Sequence, residues 1–226
     1  MDVTSPIKGF ALAAGADLVG VAPVDRLSEA PPGARPEDSL KGARTVVSLA
    51  VRIPDGLVGE TRGTNYLHGM VVSFSRLDVI AQRLAVFIEE NGFRAVPVPA
   101  DTPYDYWEAE NMYGRGNLSH KHAAQAAGLG VLGKNTLLIT PRYGNRVSLV
   151  SVITDADLEP DPLVSQELCP SSCKACLRAC PVGAIGPEGD VSQHLCRSTF
   201  KSHPRGWKYY DCWECRKVCP AGTREV

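Results

Sequence analysis

The eight cysteines, all in the last quarter of the chain, constrain this sequence more than any other feature. No cysteine precedes Cys169 or follows Cys219 among the 226 residues. They form a C-x₃-C-x₂-C-x₃-C-P run, a single cysteine, and a C-x₂-C-x₃-C-P run. Because a secreted disulfide scaffold spreads its cysteines through a short chain, this crowding predicts metal binding.

The spacing is close to that of bacterial ferredoxins, in which the last cysteine of each run binds the other cluster. The first run differs by one residue in its first gap, and Cys196 supplies the cysteine that the second run lacks. We therefore predict two [4Fe–4S] clusters. Two zinc sites of four cysteines each are the alternative, with disulfides behind them, although zinc does not require the doubled x₃-C-P element. The predicted ligand sets are Cys169, Cys173, Cys176 and Cys219 for one cluster, and Cys180, Cys196, Cys212 and Cys215 for the other.

The residues before the cysteines read as one domain of helices interleaved with buried strands. TVVSLAV (45–51) is a β-branched run typical of a buried strand. Between residues 65 and 91, apolar residues recur at three- and four-residue steps, which predicts a helix. The stretch DADLEPDP then leads into the cysteines. We expect an α/β or α+β domain over residues 1–160 and a cysteine-rich domain over 161–226. Further helices are predicted over 5–14 and 119–127, and further strands over 18–22, 93–99, 135–140 and 146–154.

The bulk composition excludes several classes of protein. The formal net charge is −1, so no global field attracts nucleic acid or an anionic membrane. No stretch approaches the roughly 20 apolar residues of a membrane span. The start, MDVTSPIKG, lacks the apolar region of a secretory signal. We therefore expect a cytoplasmic protein with no membrane partner.

A glycine-rich stretch, HAAQAAGLGVLGKNTLLI (122–139), contains two phosphate-binding signatures. Its three glycines fit G-x-G-x-x-G, and with the following lysine they fit a P-loop that has Asn135 in place of the final hydroxyl residue. Both signatures need a strand before the glycines and a helix after them. Here the predicted helix comes first and the strand second, so we expect neither site, and Gly128 is expected to end the helix.

Two interpretations of this stretch remain open. The glycines could simply let a helix pack closely on a strand, or they could form a backbone wall against a large flat ligand. In the second case the following polar side chains would contact the ligand. The candidate cofactor-binding residues are Gly128, Gly130, Gly133, Lys134, Asn135 and Thr136.

Together with the cysteines, four stretches resemble epoxyqueuosine reductases and, more distantly, reductive dehalogenases: GADLVGVAPVDRL, GARTVVSLAVRIP, AAGLGVLGKNTLLI and VSVITDADLEPD. The resemblance covers nearly the whole chain. It implies an α+β protein with a nitroreductase-like cobalamin-binding domain over 1–160 and a ferredoxin-like domain over 161–226. It also implies two [4Fe–4S] clusters that pass electrons to cob(II)alamin and form cob(I)alamin for the reduction of an unidentified substrate. On this resemblance the glycine stretch packs against the corrin or its nucleotide tail.

The chain departs from the family pattern at two points. Epoxyqueuosine reductases resemble one another in a V-D-x-x-P-x-x-E run whose aspartate donates a proton, whereas Gly114 falls near that place here. They also continue beyond the last cysteine into structure that holds tRNA, whereas this sequence ends seven residues after Cys219. We therefore predict against tRNA, and expect a small-molecule substrate or a corrinoid partner, with an external low-potential electron donor. The basic and aromatic segment 201–210 is interpreted as solvated surface.

A reductase of this kind needs a proton source. The candidates are Tyr113, Arg115, His120 and Lys121, because reductive dehalogenases are similar in pairing a tyrosine with a lysine or arginine. Each could instead be a packing or surface residue, and His68 is a further candidate. An aromatic wall over the cofactor, or a lid over the core, could be formed by Tyr104, Tyr106, Trp107 and Tyr113.

Two other functions fit the same features. The chain could be an iron–sulfur electron-transfer protein that reduces a corrinoid or flavin partner without catalysing a reaction itself. It could also be an oxidoreductase that binds a flavin or a nucleotide on the same scaffold. The cysteine pattern alone does not separate these functions from a cobalamin-dependent reductase, because a pair of clusters transfers single electrons whatever receives them.

Overall fold

The computed structural model describes residues 2–209 and 211–223. Below, residues 2–160 are called the sheet part, and the described residues from 161 onward the cysteine part. Short 3-10 helices cover Val24–Leu27 and Pro220–Thr223. The other elements follow in the order α1 (Thr4–Ala13), β1 (Leu18–Pro23), α2 (Pro36–Ser39), β2 (Thr45–Arg52), α3 (Asp55–Val58), α4 (Gly63–Glu90), β3 (Ala95–Val98), β4 (Tyr106–Glu108), β5 (Tyr113–Arg115), α5 (His120–Ala126), β6 (Val131–Leu132), β7 (Leu138–Ile139), β8 (Val147–Thr154), α6 (Ala175–Ala179), α7 (Gln193–Arg197), β9 (Lys201–Ser202), β10 (Lys208–Tyr209) and α8 (Glu214–Lys217).

The sheet part is built on four antiparallel strands in the order β1-β2-β8-β3. β2 and β8 are the two middle strands, and their register pairs Thr45 with Thr154 and Arg52 with Val147. Nearly every residue of both strands is buried. A run of apolar residues without polar alternation is expected where both faces of a sheet are covered.

Helices cover both faces of this sheet. On one face, α1 and α4 pack against it through Ile7, Leu77 and Leu84. On the other face, α5 contributes Ala123 to a second apolar cluster. β2 alternates between the two, because Val47, Leu49 and Val51 enter the first cluster and Val46 enters the second. The result is a three-layer arrangement whose second layer places α5, and the glycine stretch after it, at the edge of the core.

The α+β fold class predicted from the sequence is confirmed. The helix predicted over 65–91 spans Gly63–Glu90, and the strand predicted over 45–51 spans Thr45–Arg52. The strand predicted over 135–140 is shorter, Leu138–Ile139, because a tight turn precedes it. In that turn the Thr136 amide donates to the Gly133 carbonyl (2.8 Å), and Thr136 has a φ of 56°.

The cysteine part contains little regular structure and few buried apolar side chains. Its helices α6, α7 and α8 are four or five residues long, and no residue of α6 or α7 is buried. Its buried residues are Leu168, Ala184, Arg216 and Ala221. An apolar core this small cannot offset the entropy of ordering some sixty residues, which costs about 1–2 kcal/mol per residue for the backbone alone.

The start of the cysteine part is attached to the sheet part at Asp161. The Asp161 carboxylate accepts from the Val21 amide (2.9 Å) and pairs with Lys8 (2.7 Å), while its carbonyl accepts from Arg26 (2.8 Å). The domain boundary at residue 160 stays a prediction. Asp161, the first residue after it, makes all of these contacts with the sheet part. Within the described ranges, none of the helices is both long and apolar enough to cross a membrane.

Candidate functional site

Two of the three glycines serve close packing. Gly128 ends α5 as predicted, with a φ of 71°, and its amide donates to the Gln125 carbonyl (3.0 Å). A Cβ atom at Gly128 would collide with the Pro162 carbonyl oxygen, and one at Gly130 would collide with the Ile139 carbonyl oxygen. These two positions therefore match the packing interpretation, in which a glycine lets two backbone segments touch.

The polar residues after the glycines face the cysteine part. The Lys134 ammonium donates to the carbonyls of Pro170, Ser171 and Cys173, the last at 2.9 Å. Asn135 is buried, and its amide donates to the Cys215 carbonyl (3.1 Å). Both side chains thus hold the two cysteine runs against the sheet part. Their predicted role as cofactor ligands stays a prediction.

A cleft opens beside the first turn of α5. Its larger section, called the large cavity, has a volume of about 540 Å³ and is lined by Tyr113, Arg115 and Lys121 among others. Three of the four predicted acids therefore meet at one cavity. Its volume falls in the range of about 300–1,000 Å³ that is usual for sites of small molecules and cofactors.

A smaller section, called the small cavity, continues on the other side of the same helical turn. It has a volume of about 280 Å³, and Gly133, Lys134, Thr136 and Cys169 line it. Lys121 and His122 line both cavities, so the two sections adjoin. The cleft thus reaches from the predicted acids, past half of the predicted cofactor-binding residues, to a predicted cluster ligand.

The hairpin of β4 and β5 carries Tyr113 and Arg115 and is held by the cysteine part. Gln193 of α7 makes two hydrogen bonds with the backbone of Gly114, one to its amide (3.1 Å) and one to its carbonyl (3.2 Å). The Arg115 guanidinium lies 5.6 Å from the centre of the Tyr106 ring, and the Tyr113 ring meets Tyr106 edge-on. The position of this wall of the large cavity therefore depends on α7.

His120 is enclosed by its neighbours, whereas Lys121 lines the cleft. The His120 Nε2–H donates to the Pro99 carbonyl (2.8 Å), so Nδ1 must accept from the Ser151 hydroxyl (3.0 Å). Burial lowers the pKa of His120 by more than the hydrogen bond to the Pro99 carbonyl raises it. Both ring nitrogens are engaged in hydrogen bonds. Burial also lowers the pKa of Lys121, whose side chain lines the cleft. A lowered lysine pKa makes the ammonium a stronger acid.

His122 is a cleft residue that the sequence analysis missed. It lines both cavities and shares a hydrogen bond of 2.7 Å between its Nδ1 and the Ser119 hydroxyl. Burial lowers its pKa, and the neighbouring Lys121 charge lowers it further. A signal was available, because His122 follows Lys121 at the start of a predicted helix whose later residues are nearly all alanine.

The other sequence candidates lie elsewhere. His68 lines a separate open cavity of about 580 Å³ beside α4. The Tyr104 and Trp107 rings stack with their centres 5.7 Å apart, and Arg197 of α7 lies 5.0 Å from the Trp107 ring centre. The aromatic residues therefore anchor the hairpin to the cysteine part. Gly114 is enclosed by these rings, because a Cβ atom there would lie 3.1 Å from Trp107.

The cysteine thiols sort into two groups by the neighbours that raise their pKa values. Burial is the largest cause throughout. In the first group, the charge of Cys169 also raises the pKa values of Cys176 and Cys219, and the charge of Cys173 raises the pKa of Cys219. In the second group, the charges of Cys180 and Cys212 raise the pKa of Cys196. The charges of Cys196 and Cys212 raise the pKa of Cys215. One electrostatic interaction joins the two groups, that of Cys176 with Cys215. The grouping is the one that the crossover pattern predicts, and ligation itself stays a prediction.

The two thiol groups fit clusters of several irons. Burial raises the pKa of Cys215 to about 12, so without metal this thiol stays protonated and cluster binding must release its proton. Among residues 2–209 and 211–223, no three histidine, cysteine or acidic side chains lie close enough together to hold a single metal ion. A cubane of four irons spreads its ligands more widely than one zinc, whose sulfurs lie about 2.3 Å from the metal.

The two groups differ in what they face. Cys169 of the first group lines the small cavity, so a cluster held there would border the cleft. Cys196 of the second group is exposed. The first group therefore has a member next to the candidate site, and the second group has a member exposed to solvent.

Comparison with known proteins gives relatives of two kinds. No family model matches the chain. An epoxyqueuosine reductase of Listeria monocytogenes is 39% identical over 122 residues, which are 49% of this chain and 31% of that protein. A tetrachloroethene reductive dehalogenase of Dehalobacter restrictus is 37% identical over 121 residues, 52% of this chain and 19% of that protein. The matches thus span half of this chain and a third or less of each relative's length.

Solved structures share the whole fold at low identity. A reductive dehalogenase, described with a mechanism for B12-dependent dehalogenation, superposes with a TM-score of 0.73 at 19% identity and covers 97% of this chain and 32% of that chain. An epoxyqueuosine reductase with an epoxyqueuosine-modified tRNA-Tyr stem loop superposes with a TM-score of 0.66 at 21% identity, covering 96% of this chain and 64% of that chain. These likenesses confirm the predicted fold.

The second of these structures corrects the prediction about partners. The prediction against tRNA, and with it the expectation of a small-molecule substrate or a corrinoid partner, is wrong, because a protein of this fold binds a tRNA stem loop. That prediction relied on a missing aspartate near Gly114 and on the residues after Cys219. Neither feature describes the surface that a folded chain offers to RNA, since such a surface is assembled from distant segments.

The sequence matches and the superpositions agree with the arrangement of the site. The relatives that match half of the chain in sequence and those that superpose over nearly the whole chain bear the same two kinds of names. The cleft beside α5, the glycine turn and the paired thiol groups lie within the superposed region. This chain is therefore similar to epoxyqueuosine reductases and reductive dehalogenases, in sequence over half of its length and in fold over nearly all of it.

Proposed function

We propose that this chain is an oxidoreductase that uses two [4Fe–4S] clusters and cobalamin to reduce epoxyqueuosine in tRNA. The observation that carries the proposal is the contact between the cleft and the cysteine part: Cys169, a predicted cluster ligand, lines the same small cavity as Lys121, His122 and Lys134. When bound, the clusters supply single electrons, and cobalamin supplies a cobalt centre of low potential that can reduce a substrate.

The chain's own residues would keep the electron path short. Lys134 and Asn135 extend from the glycine turn to the backbone of both cysteine runs. A cofactor in the cleft that reaches into the small cavity would therefore lie beside Cys169. The exposed Cys196 would place the second cluster where an external electron donor can approach. Electrons would enter at the second group of cysteines and leave at the first.

The cleft also offers proton donors in place of the missing aspartate. Reduction of a neutral substrate by two electrons to a neutral product consumes two protons. Gly114 has no side chain to supply them, but Tyr113, Lys121 and His122 line the same cavity. Of these, Lys121 and His122 have pKa values that burial lowers, which makes their protonated forms stronger acids. We assign them the role of proton donors.

The substrate is proposed from the relatives. Epoxyqueuosine reductases are among the proteins to which this chain is similar, and one of them has been solved with a modified tRNA stem loop. In this chain the wall of the large cavity is a hairpin that α7 holds by its backbone, so the opening above it has a defined shape. A base flipped from a tRNA loop could enter such an opening without a rearrangement of the sheet part.

Anaerobic reconstitution tests the cofactor proposal. The purified chain is loaded with iron and sulfide, incubated with cobalamin, and passed through a gel-filtration column. We expect about eight irons per chain, and a corrinoid absorption that elutes with the protein. His122→Trp fills the cleft and should abolish corrinoid retention without lowering the iron content. His68→Trp, in the separate cavity beside α4, is the matched control. Wild-type protein that holds iron but no corrinoid would contradict the cobalamin proposal.

A second experiment tests the substrate. The loaded protein is reduced and mixed with a tRNA stem loop that carries epoxyqueuosine, and the nucleosides are then analysed by mass spectrometry. We expect epoxyqueuosine to disappear, and His122→Gln and Lys121→Met to slow this loss while the reduced cobalt spectrum still forms. Full retention of corrinoid with no loss of epoxyqueuosine would reject the substrate and leave the cofactors in place.

A further inference from the structure

Arg216 is a buried cation with no acidic partner among the described residues. Its side chain is 8% exposed. The guanidinium donates to the carbonyls of Asn145 and Val147, at the end of the sheet part where β8 begins. Throughout residues 2–209 and 211–223, no carboxylate forms an ion pair with it. Carbonyl dipoles satisfy hydrogen bonds, but they do not cancel a full charge.

A charge in this position is costly unless something negative lies beside it. Removing a guanidinium from water without an opposite charge is strongly unfavourable even after relaxation of the protein. Arginine cannot escape this cost by losing its proton, because a guanidinium is not deprotonated in proteins. Lys8, by contrast, is partly exposed and paired with Asp161. Arg216 therefore requires an anion that the protein chain described here does not supply.

The predicted second cluster is placed to be that anion. Arg216 directly follows Cys215, a predicted ligand of the second cluster, within α8. Asn135 also donates to the Cys215 carbonyl, so this segment is held from the side of the sheet part as well. Four thiolates around a [4Fe–4S] core make a group with net negative charge, which increases when the cluster is reduced.

We propose that Arg216 is the buried counter-charge of the second cluster, and that it raises the reduction potential of this cluster above the value that the same ligands would give without it. The inference rests on the proposed two-cluster function. A fixed positive charge in a low-dielectric site favours the more negative, reduced form of its neighbour. Arg216 is thus a positioning residue for charge, which touches neither the substrate nor the cleft.

The consequence concerns the order of electron entry. The second group includes the exposed Cys196, whereas the first group lines the cleft. A raised potential at the solvent side would make the second cluster the easier acceptor for an external donor. Exposed basic residues contribute little to this effect, because water and salt screen them. Arg178, which is exposed and lies two residues before Cys180, offers a matched comparison near the same cluster.

Redox titration of the loaded full chain, without cobalamin, tests the proposal. Dithionite reduces the protein stepwise, and electron paramagnetic resonance follows each cluster; Cys212→Ser identifies the signal of the second cluster. We expect Arg216→Met to move the midpoint of that signal to more negative potential and to leave the other signal in place. Arg216→Lys should retain most of the wild-type value, and Arg178→Met should retain all of it.

Iron analysis keeps the test decisive if a variant is unstable. Should Arg216→Met hold only half of the iron, recovery of the full iron content in Arg216→Lys would support the counter-charge role. Full iron content in Arg216→Met with both midpoints unchanged would overturn the proposal, while the two-cluster function would stand. Wild-type protein that binds no iron would instead remove the proposed function on which the inference rests.

Discussion

The sheet part and the cysteine part are stabilised by different physics. In the sheet part, α4 alone buries Leu77, Ile80, Leu84 and Ile88 against the strands. In the cysteine part, helices α6 and α7 bury nothing, and the buried residues are one leucine, two alanines and one arginine. The hydrophobic effect contributes about 1.5–3 kcal/mol for each large side chain that is fully buried. The cysteine part lacks this source of stability.

This difference indicates which interactions stabilise the folded state of each part. The sheet part can reach its fold through apolar burial, so its structure does not require a cofactor. The cysteine part must gain its stability from metal–thiolate bonds, as small metal-dependent domains do. The contacts made by Lys134 and Asn135 then couple the two, because they connect the glycine turn of one part to the backbone of the other. Four predictions test this division.

Removal of iron should have the largest effect. Chelation under reducing, anaerobic conditions leaves eight free thiols around an interior with few apolar side chains. We expect the amide hydrogens of the cysteine part to exchange freely, while those of β2 and β8 remain protected. Hydrogen exchange read out by mass spectrometry measures both regions in one sample. Amide hydrogens that stay protected from exchange across α6 to α8 in the iron-free chain would contradict the proposed difference between the two parts.

Leu84→Ala should destabilise the sheet part without affecting iron binding. Leu84 is fully buried, so its truncation leaves a cavity and is expected to cost about 2–5 kcal/mol of unfolding free energy. Denaturant unfolding of the loaded protein measures the loss, and iron content per chain should stay at the wild-type level. Val79→Ala, at an exposed position of the same helix, should change stability by no more than about 0.5 kcal/mol. A matching loss of iron in Leu84→Ala would show that the two parts fold as one unit.

Lys134→Met should loosen the junction between the parts. The substitution removes the ammonium that donates to three carbonyls of the first cysteine run, and those carbonyls lose a charged donor. We expect a loss of about 1–3 kcal/mol, together with faster release of iron to a chelator. The exposed Lys174, next to the same run, provides the control Lys174→Met. Equal iron release from both variants would mean that the junction does not depend on Lys134.

Lys121→Met should have the smallest effect and should depend on pH. Burial lowers the Lys121 pKa, so the folded state disfavours its charge. Between the lowered pKa and the ordinary lysine value of about 10.4, the unfolded chain binds more protons, and wild-type stability therefore rises with pH. We expect the methionine variant to be more stable at neutral pH by less than about 1 kcal/mol, because solvent screens a half-buried ammonium.

The advantage of Lys121→Met should fade as the pH approaches the ordinary lysine value, where folded and unfolded wild-type chains are both neutral at this position. Thermal melting of the sheet part at several pH values measures this difference in stability between the variant and the wild type. An advantage that stays constant with pH would come from the added apolar contact, and would show that the charge of Lys121 costs nothing in the cleft.

Much of the fold followed from local patterns. The helix α4 and the strands β1, β2 and β8 lie within one or two residues of their predicted bounds, because apolar periodicity reflects burial directly. The thiol groups also follow their spacing, since gaps of two and three residues limit which sulfurs can face one core. The short strand Leu138–Ile139 was overestimated, because a turn that depends on the left-handed backbone of Thr136 consumes the residues before it.

The cleft was harder to predict because its walls come from distant segments. Lys134 and Asn135 were expected to contact a ligand, but the carbonyls that they contact lie between 36 and 80 residues further along the chain. His120 and His122 stand two positions apart, yet one is enclosed between Pro99 and Ser151 and the other lines both cavities. No local pattern distinguishes these two histidines, since the difference arises from what packs against each face of α5.

The sequence by itself determined the class of the fold, because this depends on patterns of residues that are close together in the chain, and it predicted the two groups of thiols from their spacing. Only the tertiary structure decided that Gly128 and Gly130 serve packing, that Cys169 borders the cleft, and that Arg216 is buried without an acid beside it among the described residues. Burial and electrostatic surroundings depend on the contacts between distant segments. Those contacts exist only after the sheet part and the cysteine part have packed together.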